Sequence, residues 1–146
     1  MENKKFMERA IEKAREASSK GEIPVGAVVV KNGKIIAEGR NRREESKSAL
    51  AHAEIEAIHN AAQVLGDWRL SGCELFVTLE PCIMCCGAII NARLDRVVFG
   101  AYDERAGALI SCADVPNSFG SKMQVIGGYM EKECKEILTS FFQNLR

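Results

Sequence analysis

The sequence has little of several residue types, and each scarcity narrows its possible roles. It contains two histidines, three prolines and one tryptophan in 146 residues, and its 20 basic residues equal its 20 acidic ones. Balanced charge argues against a protein that holds long nucleic acids by electrostatics alone, although a small basic contact surface is still compatible with it. No apolar stretch approaches the roughly 20 residues that a membrane-spanning helix needs.

The start of the chain and its cysteines indicate the compartment. The first 20 residues are charged and amphipathic rather than a signal peptide, so we expect a cytoplasmic protein. Six cysteines could form three disulfides, but a reducing compartment favours metal ligands or free thiols. Three of them are closely spaced, which favours a metal: Cys82, Cys85 and Cys86. The remaining three are expected in the core, where cysteine is common: Cys73, Cys112 and Cys134.

Hydrophobic periodicity predicts a single α/β domain over residues 1–146. Helices are predicted over 2–20, 51–65, 82–93 and 130–145, and strands over 25–31, 34–39, 73–79, 96–101 and 123–126. Asn-Gly between the first two strands favours a tight antiparallel hairpin. Residues 40–50 are predicted to form a loop, and the connection 102–121 either contains a helical turn or shapes a site. This order predicts a three-layer α/β/α fold with a mixed five-stranded sheet.

Two short motifs carry the residues suited to metal chemistry. His52-Ala53-Glu54 opens one predicted helix, and Pro81-Cys82-Ile83-Met84-Cys85 opens another. One imidazole and two thiolates make three zinc ligands, which leaves the fourth tetrahedral position open for water. The start of a helix also stabilises thiolates through its dipole. We therefore predict that His52, Cys82 and Cys85 hold one Zn²⁺ per chain.

Glu54 follows one of these ligands by two residues, so its carboxylate can face the open side of the metal without binding it. A carboxylate there can take a proton from water and return it to a reacting ring, which is the chemistry of hydrolytic deamination. Cys86 and His59 are excluded as ligands: a neighbouring helical residue points about 100° away, and His59 lies two turns, ~10 Å, along the helix from His52. Taken singly, such a cysteine is ordinarily core and such a glutamate ordinarily surface.

The full pattern is similar to the cytidine-deaminase-like superfamily. His-x-Glu followed by Pro-Cys-x-x-Cys is the signature of zinc deaminases that act on nucleobases. Within that superfamily the chain resembles the bacterial tRNA-specific adenosine deaminases, through residues 21–27, 39–41, 78–82 and 96–101 and a terminal helix with two adjacent phenylalanines. The resemblance implies a cytidine-deaminase-like fold, a homodimer, and conversion of the wobble adenosine in a tRNA anticodon loop to inosine.

The resemblance also implies residues that contact the substrate. Asn41 matches an asparagine that hydrogen-bonds the flipped nucleoside, and the backbone N–H of Ala53 matches one that meets the base. Pro24 and Val25 match an apolar wall, and Asp103 matches an aspartate that contacts sugar. Each has an alternative interpretation: Asn41 and Asp103 as turn residues, and Pro24 and Val25 as strand or core.

Glu80 matches an acid beneath the zinc loop that is expected to support it. Residues 106–123 differ from the usual pattern of the tRNA branch and contain no histidine. That difference keeps a second hypothesis open, a deaminase of a free purine base, nucleoside or related aminated heterocycle. A third hypothesis is a non-catalytic zinc domain that binds RNA or a partner.

Overall fold

A computed structural model describes residues 2–145, which form a sheet covered by helices on both faces. The described elements are α1 Glu2–Ser19, β1 Gly26–Lys31, β2 Lys34–Arg40, α2 Arg43–Ser46, α3 Ala53–Leu65, β3 Cys73–Leu79, α4 Ile83–Asn91, β4 Arg96–Ala101, α5 Val115–Ser118, β5 Gln124–Ile126 and α6 Glu131–Asn144. The predicted three-layer α/β/α architecture is confirmed. No helix in residues 2–145 combines the length and the apolarity needed to cross a membrane.

The sheet is mixed and has five strands in the order β2-β1-β3-β4-β5. β1 is antiparallel to both β2 and β3, whereas β3, β4 and β5 run parallel. Asn32 and Gly33 join β1 to β2 and both have positive φ angles, 52° and 75°. Two consecutive positive φ angles are what a tight primed hairpin turn requires, so the predicted hairpin is confirmed.

The helices bury the two faces of the sheet in two apolar clusters. α1 and α6 cover one face, where Phe6 and Met7 of α1 pack with Phe76 and Val98 of the strands. α3 and α4 cover the opposite face. Because β1, β3 and β4 are buried on both faces, their sequences are nearly continuous apolar runs rather than alternating ones.

Two glycines let helices lie directly against strand backbones. A Cβ at Gly26 of β1 would overlap the Ala10 carbonyl oxygen and lie 2.6 Å from the Ala14 nitrogen in α1. A Cβ at Gly39 of β2 would overlap the Ala53 carbonyl oxygen and lie 2.6 Å from the Ala57 nitrogen in α3. The obstacles are main-chain atoms, so a side-chain rotation cannot relieve them. Gly39 thereby fixes the distance from the sheet to the first turn of α3.

Gly39→Ala is expected to lower the free energy of unfolding by about 3 kcal/mol, since overpacking against backbone lies at the upper end of its usual cost. For a chain of this size that is a fall of about 10 °C in Tm. Gly87→Ala is the matched control, because a Cβ there meets nothing within 4 Å. Alanine inside a helix should stabilise by roughly 0.5–1 kcal/mol. Thermal melts of the two variants check this, and equal Tm values would contradict the close approach at Gly39.

Several predicted boundaries and one predicted burial are corrected by the structure. α3 begins at Ala53 and α4 at Ile83, because His52 and Cys82 are extended residues that cap them. The predicted loop over 40–50 contains the short helix α2, and the connection 102–121 contains α5. Cys112, expected in the core, is exposed. Its thiol donates to the Glu104 carbonyl oxygen at 3.0 Å, so its segment lies on the surface.

Candidate metal and catalytic site

The first turns of two helices bring the predicted metal ligands together. His52 is the N-cap residue of α3, and Cys82 is the N-cap residue of α4, just beyond the carboxyl end of β3. Cys85 lies in the first turn of α4 and is fully buried. Both helix starts direct partial positive charge at the same point, which favours thiolate there. Parallel pairing of β3 with β4, and α3 packing on α4, keep the two ends adjacent.

The spacing of the three side chains fits a tetrahedral zinc ion. The His52 Nδ1 atom lies 3.8 Å from the Cys82 Sγ atom and 3.5 Å from the Cys85 Sγ atom. Zinc–sulfur bonds of ~2.3 Å and zinc–nitrogen bonds of ~2.0–2.1 Å at a tetrahedral angle separate sulfur from nitrogen by about 3.6 Å. Within residues 2–145 these three form the one His/Cys/Asp/Glu group with ligand atoms inside 4.8 Å of one another.

The Cys82 thiol is already disposed to lose its proton, as a metal ligand must. Hydrogen bonds from the Cys85 thiol and from His52 lower the pKa of the Cys82 thiol to about 3. The hydrogen bond with Cys82 raises the pKa of Cys85 above its usual range, and a hydrogen bond with Cys82 also raises the pKa of His52. One thiolate is therefore held in the form that coordinates a metal. Cys86 is buried and its thiol faces the Pro81 carbonyl oxygen at 3.7 Å, away from this cluster.

Glu54 sits in the first turn of α3, two residues after the candidate ligand His52, and its side chain is 4% exposed. Burial raises the pKa of its carboxyl group to about 7. A carboxyl group with a pKa near the working pH can both accept and release a proton, as a general acid–base residue must. His59, in contrast, is exposed on the same helix.

A cavity of about 940 Å³ opens above His52, Glu54 and Cys82. It lies toward the upper end of the ~300–1,000 Å³ that binding pockets occupy. Four of the predicted substrate-contact residues line it: Val25, Asn41, Ala53 and Asp103. Pro24 is buried and does not line the cavity, whereas its neighbour Ile23 does. Their contacts with a substrate stay a prediction.

The polar side chains among these residues also bond the protein itself. The Asn41 amide nitrogen donates to the Ile23 carbonyl oxygen at 3.2 Å, and its oxygen accepts from the Arg43 backbone at 3.1 Å. The Asp103 carboxylate accepts from the backbone N–H groups of Arg105 and Ala106 at 3.0 and 3.2 Å. Both side chains therefore have fixed orientations at the cavity wall, and both also serve as turn residues.

Sequence reasoning missed part of the lining, which comes from α6 and from the segment after β4. Lys135, Leu138 and Phe142 lie on one face of α6 at spacings of three and four residues and line the cavity together with Tyr102. The helical spacing was visible in the sequence. That this face borders the cavity depends on where α6 packs, which no local pattern reveals.

Glu80 holds the segment after β4 against the metal loop. Its buried carboxylate accepts hydrogen bonds from the backbone N–H groups of Asp103, Ile110 and Ser111 at 3.1, 2.8 and 2.9 Å, and from the Ser111 hydroxyl. The Ala108 N–H also donates to the Pro81 carbonyl oxygen at 2.9 Å. Residues 103–111 are thus tied to the segment that carries Cys82.

Glu80→Gln is expected to lower the free energy of unfolding by about 2–3 kcal/mol, because the amide offers one acceptor oxygen where the carboxylate offers two. Burial alone would raise the pKa of Glu80, but its hydrogen bonds hold that pKa below the ordinary 4.5. Its stabilisation is present above the unfolded-state pKa and is lost as pH falls through the lower folded-state value. Glu104 is exposed in the same segment, so Glu104→Gln is the control.

Thermal melts of these variants from pH 7 down to pH 3 provide the measurement. We expect the stability difference between wild type and Glu80→Gln to shrink on acidification below about pH 4.5, and Glu104→Gln to follow wild type throughout. A difference that stays constant to the lowest pH at which the protein folds would contradict a charged role for Glu80.

An α/β/α fold with a three-ligand metal cluster, an adjacent buried carboxylate and a cavity above them defines a hydrolytic deaminase. The family model for MafB19-like deaminases accordingly matches residues 1–146. The tRNA-specific adenosine deaminase of Bacillus subtilis strain 168 is 44% identical over 143 residues, covering 97% of this chain and 89% of that protein.

Solved structures agree with this relationship. A structure from a study of A-to-I editing by tRNA:A34 deaminases at the wobble position superposes with a TM-score of 0.90 and 42% identity, covering 92% of this chain and 99% of that one. Guanine deaminase from Bacillus subtilis aligns with a TM-score of 0.68 and 39% identity, covering 83% and 72%. The chain belongs to the cytidine-deaminase-like superfamily, in its family of tRNA-specific adenosine deaminases, as its motifs predicted.

Proposed function

We propose that this protein is a zinc-dependent deaminase that converts the wobble adenosine of a tRNA anticodon loop to inosine. The observation that carries the reaction type is the His52, Cys82 and Cys85 cluster with the buried Glu54 beside it. The substrate rests on the tRNA-specific relatives, which match almost the whole chain. One zinc ion bound to the three ligands would lower the pKa of a water molecule in the remaining position.

Glu54 performs the proton transfers of this reaction. Its carboxylate takes a proton from the attacking water as oxygen bonds to the amino-bearing ring carbon, and it gives that proton to the adjacent ring nitrogen. It then takes the second proton of the former water and delivers it to the amino group, which leaves as ammonia. Water is consumed, and adenosine becomes inosine.

The cavity wall binds and orients the nucleoside in this proposal. Asn41 hydrogen-bonds the nucleoside, the Ala53 N–H meets the base, and Asp103 contacts sugar. Val25, with Pro24 behind it, forms the apolar wall against which the base packs. Asn41, Ala53, Asp103 and Val25 line the cavity, and Pro24 is the buried residue next to Val25 in sequence.

We also propose a cytoplasmic homodimer, since tRNA is a cytoplasmic substrate and the family resemblance includes an interface near the metal-binding helix. Ile83, in the first turn of α4, supports this because 71% of it is exposed. In the proposed dimer this apolar side chain would be covered by the partner. Sedimentation velocity at micromolar concentration tests the dimer.

The test of the substrate is inosine formation in an anticodon stem-loop that carries a wobble adenosine. Ammonia release should follow on this RNA and be absent with free adenine, guanine, cytosine and their nucleosides. A stem-loop with guanosine at the wobble position is the matched control. Turnover of a free base or nucleoside with none on the RNA would replace the proposal by a small-molecule deaminase.

A further inference from the structure

Glu22 is a buried carboxylate outside the metal cluster, and it is bonded to main chain far away in sequence. It is 2% exposed and lies between α1 and β1. Its two oxygens accept hydrogen bonds from the backbone N–H groups of Glu44 and Glu45, at 3.1 and 2.7 Å. A carboxyl group taken out of water this completely needs hydrogen-bond donors, and these two amides are its bonded partners.

The two amides belong to α2, a helix of four residues whose own capping residue does not serve it. Arg42 occupies the N-cap position, and its side chain caps none of the helix's backbone amides. The first amides of a helix need an acceptor, and a carboxylate there also matches the positive end of the helix dipole. Glu22 supplies both from more than 20 residues away in sequence.

The segment that Glu22 holds is the segment that carries one wall of the cavity. Asn41 donates its backbone N–H to the Val25 carbonyl oxygen at 3.1 Å and its side-chain amide to the Ile23 carbonyl oxygen at 3.2 Å. Asn41, Arg43, Ile23 and Val25 all line the cavity. Glu22 immediately precedes Ile23. Its hydrogen bonds to α2 therefore connect the wall residues Ile23 and Val25 to the wall residues Asn41 and Arg43.

We infer that Glu22 is a positioning residue for substrate binding: it holds α2 so that Asn41 and Arg43 stand at the cavity wall. It touches neither the metal ligands nor Glu54 in any hydrogen bond of residues 2–145, so its loss affects binding of substrate and leaves the chemical step in place. This inference rests on the proposed function, since Asn41 and Arg43 matter through the nucleoside they face.

The test compares Glu22→Gln with Glu38→Gln on the wobble-adenosine stem-loop, using the full-length zinc-loaded protein. The Glu38 carboxylate also accepts a pair of hydrogen bonds, from Arg9 at 2.6 and 2.8 Å, which Glu38→Gln would disrupt. Glu38 does not line the cavity. We expect Glu22→Gln to raise KM about tenfold with kcat within about threefold. Glu38→Gln should leave both constants at wild-type values even where it lowers Tm.

Two further measurements make the result decisive. Glu22→Asp keeps both acceptor oxygens, so its KM should lie between those of wild type and Glu22→Gln, and it carries the comparison if Glu22→Gln does not fold. Amide hydrogen exchange at Glu44 and Glu45 should accelerate in Glu22→Gln and not in Glu38→Gln. Wild-type KM in both Glu22 variants, or unchanged exchange, would overturn the inference. If wild type itself forms no inosine, the proposed function fails, and the exchange rates still decide what Glu22 holds.

Discussion

Glu54→Gln is expected to reduce kcat for deamination by about 10²–10⁴-fold while the protein keeps its zinc and its fold. The amide is nearly the same size as the carboxyl group it replaces, and Glu54 is not among the three ligand residues. The side-chain amide of the Glu54→Gln variant, unlike the carboxylate, cannot accept a proton from water or return one to the ring. KM should change far less than kcat, because the lost interaction belongs to the chemical step.

Single-turnover inosine formation with zinc-loaded protein measures this effect. Glu133→Gln is the control, since Glu133 is an exposed glutamate of α6 that does not line the cavity. Zinc content and Tm are measured on both variants. Activity above about a tenth of wild type in Glu54→Gln would exclude Glu54 as the proton carrier. Zinc-loaded wild type that releases no ammonia from the RNA, the free bases or the nucleosides would instead indicate a metal-binding domain without catalysis.

The reacting centre could be predicted from sequence because its parts are local. Zinc ligand types, a proline before Cys82, and a glutamate two residues after His52 are all features of short segments. Alternation of strands and helices predicted the layers that bring the two segments together. The sequence did not reveal that His52 and Cys82 are cap residues, because a residue at a helix boundary belongs equally to the loop before it.

Glu80 was expected to support the metal loop from the family resemblance, but the partners of the supporting acids could not be predicted, because they are long-range contacts of ordinary residues. Glu80 bonds main-chain groups 23, 30 and 31 residues away, and Glu22 bonds groups 22 and 23 residues away. Backbone N–H groups are present at every such position, so no residue type marks them as partners. Only the packing of the loops selects which amides a buried carboxylate meets.

Cys112 shows the opposite limitation, in which an average tendency failed at one position. Cysteine is commonly buried, so its residue type predicted the core. Its neighbours Ile110 and Ser111 are instead held by Glu80, through both backbones and the Ser111 hydroxyl, and both residues are themselves exposed. This anchoring leaves the side chains of Ile110 and Cys112 exposed. The segment that differs most from the family pattern is therefore anchored by an acid within the matched part of the chain.

Cys82→Ala is expected to remove the metal, whereas Cys86→Ala is expected to keep it. The two cysteines are close in sequence and both belong to the start of α4, but only Cys82 lies with His52 and Cys85. Loss of a ligand should weaken zinc binding by more than the roughly 10–100-fold that loss of a residue supporting a ligand costs. Cys86→Ala deletes only a buried thiol, which costs stability of about 1 kcal/mol.

Elemental analysis after dialysis against a mild chelator separates the two variants. Wild type and Cys86→Ala should each retain about one zinc ion per chain, and Cys82→Ala should retain close to none. Cys82→Ala should also lose deamination, because the remaining pair, His52 and Cys85, leaves too few ligands to hold the ion. Retention of zinc by Cys82→Ala with loss from Cys86→Ala would mean that the metal sits deeper in α4. That result would also displace Glu54 from the reacting water, since its position was inferred from the cluster beside it.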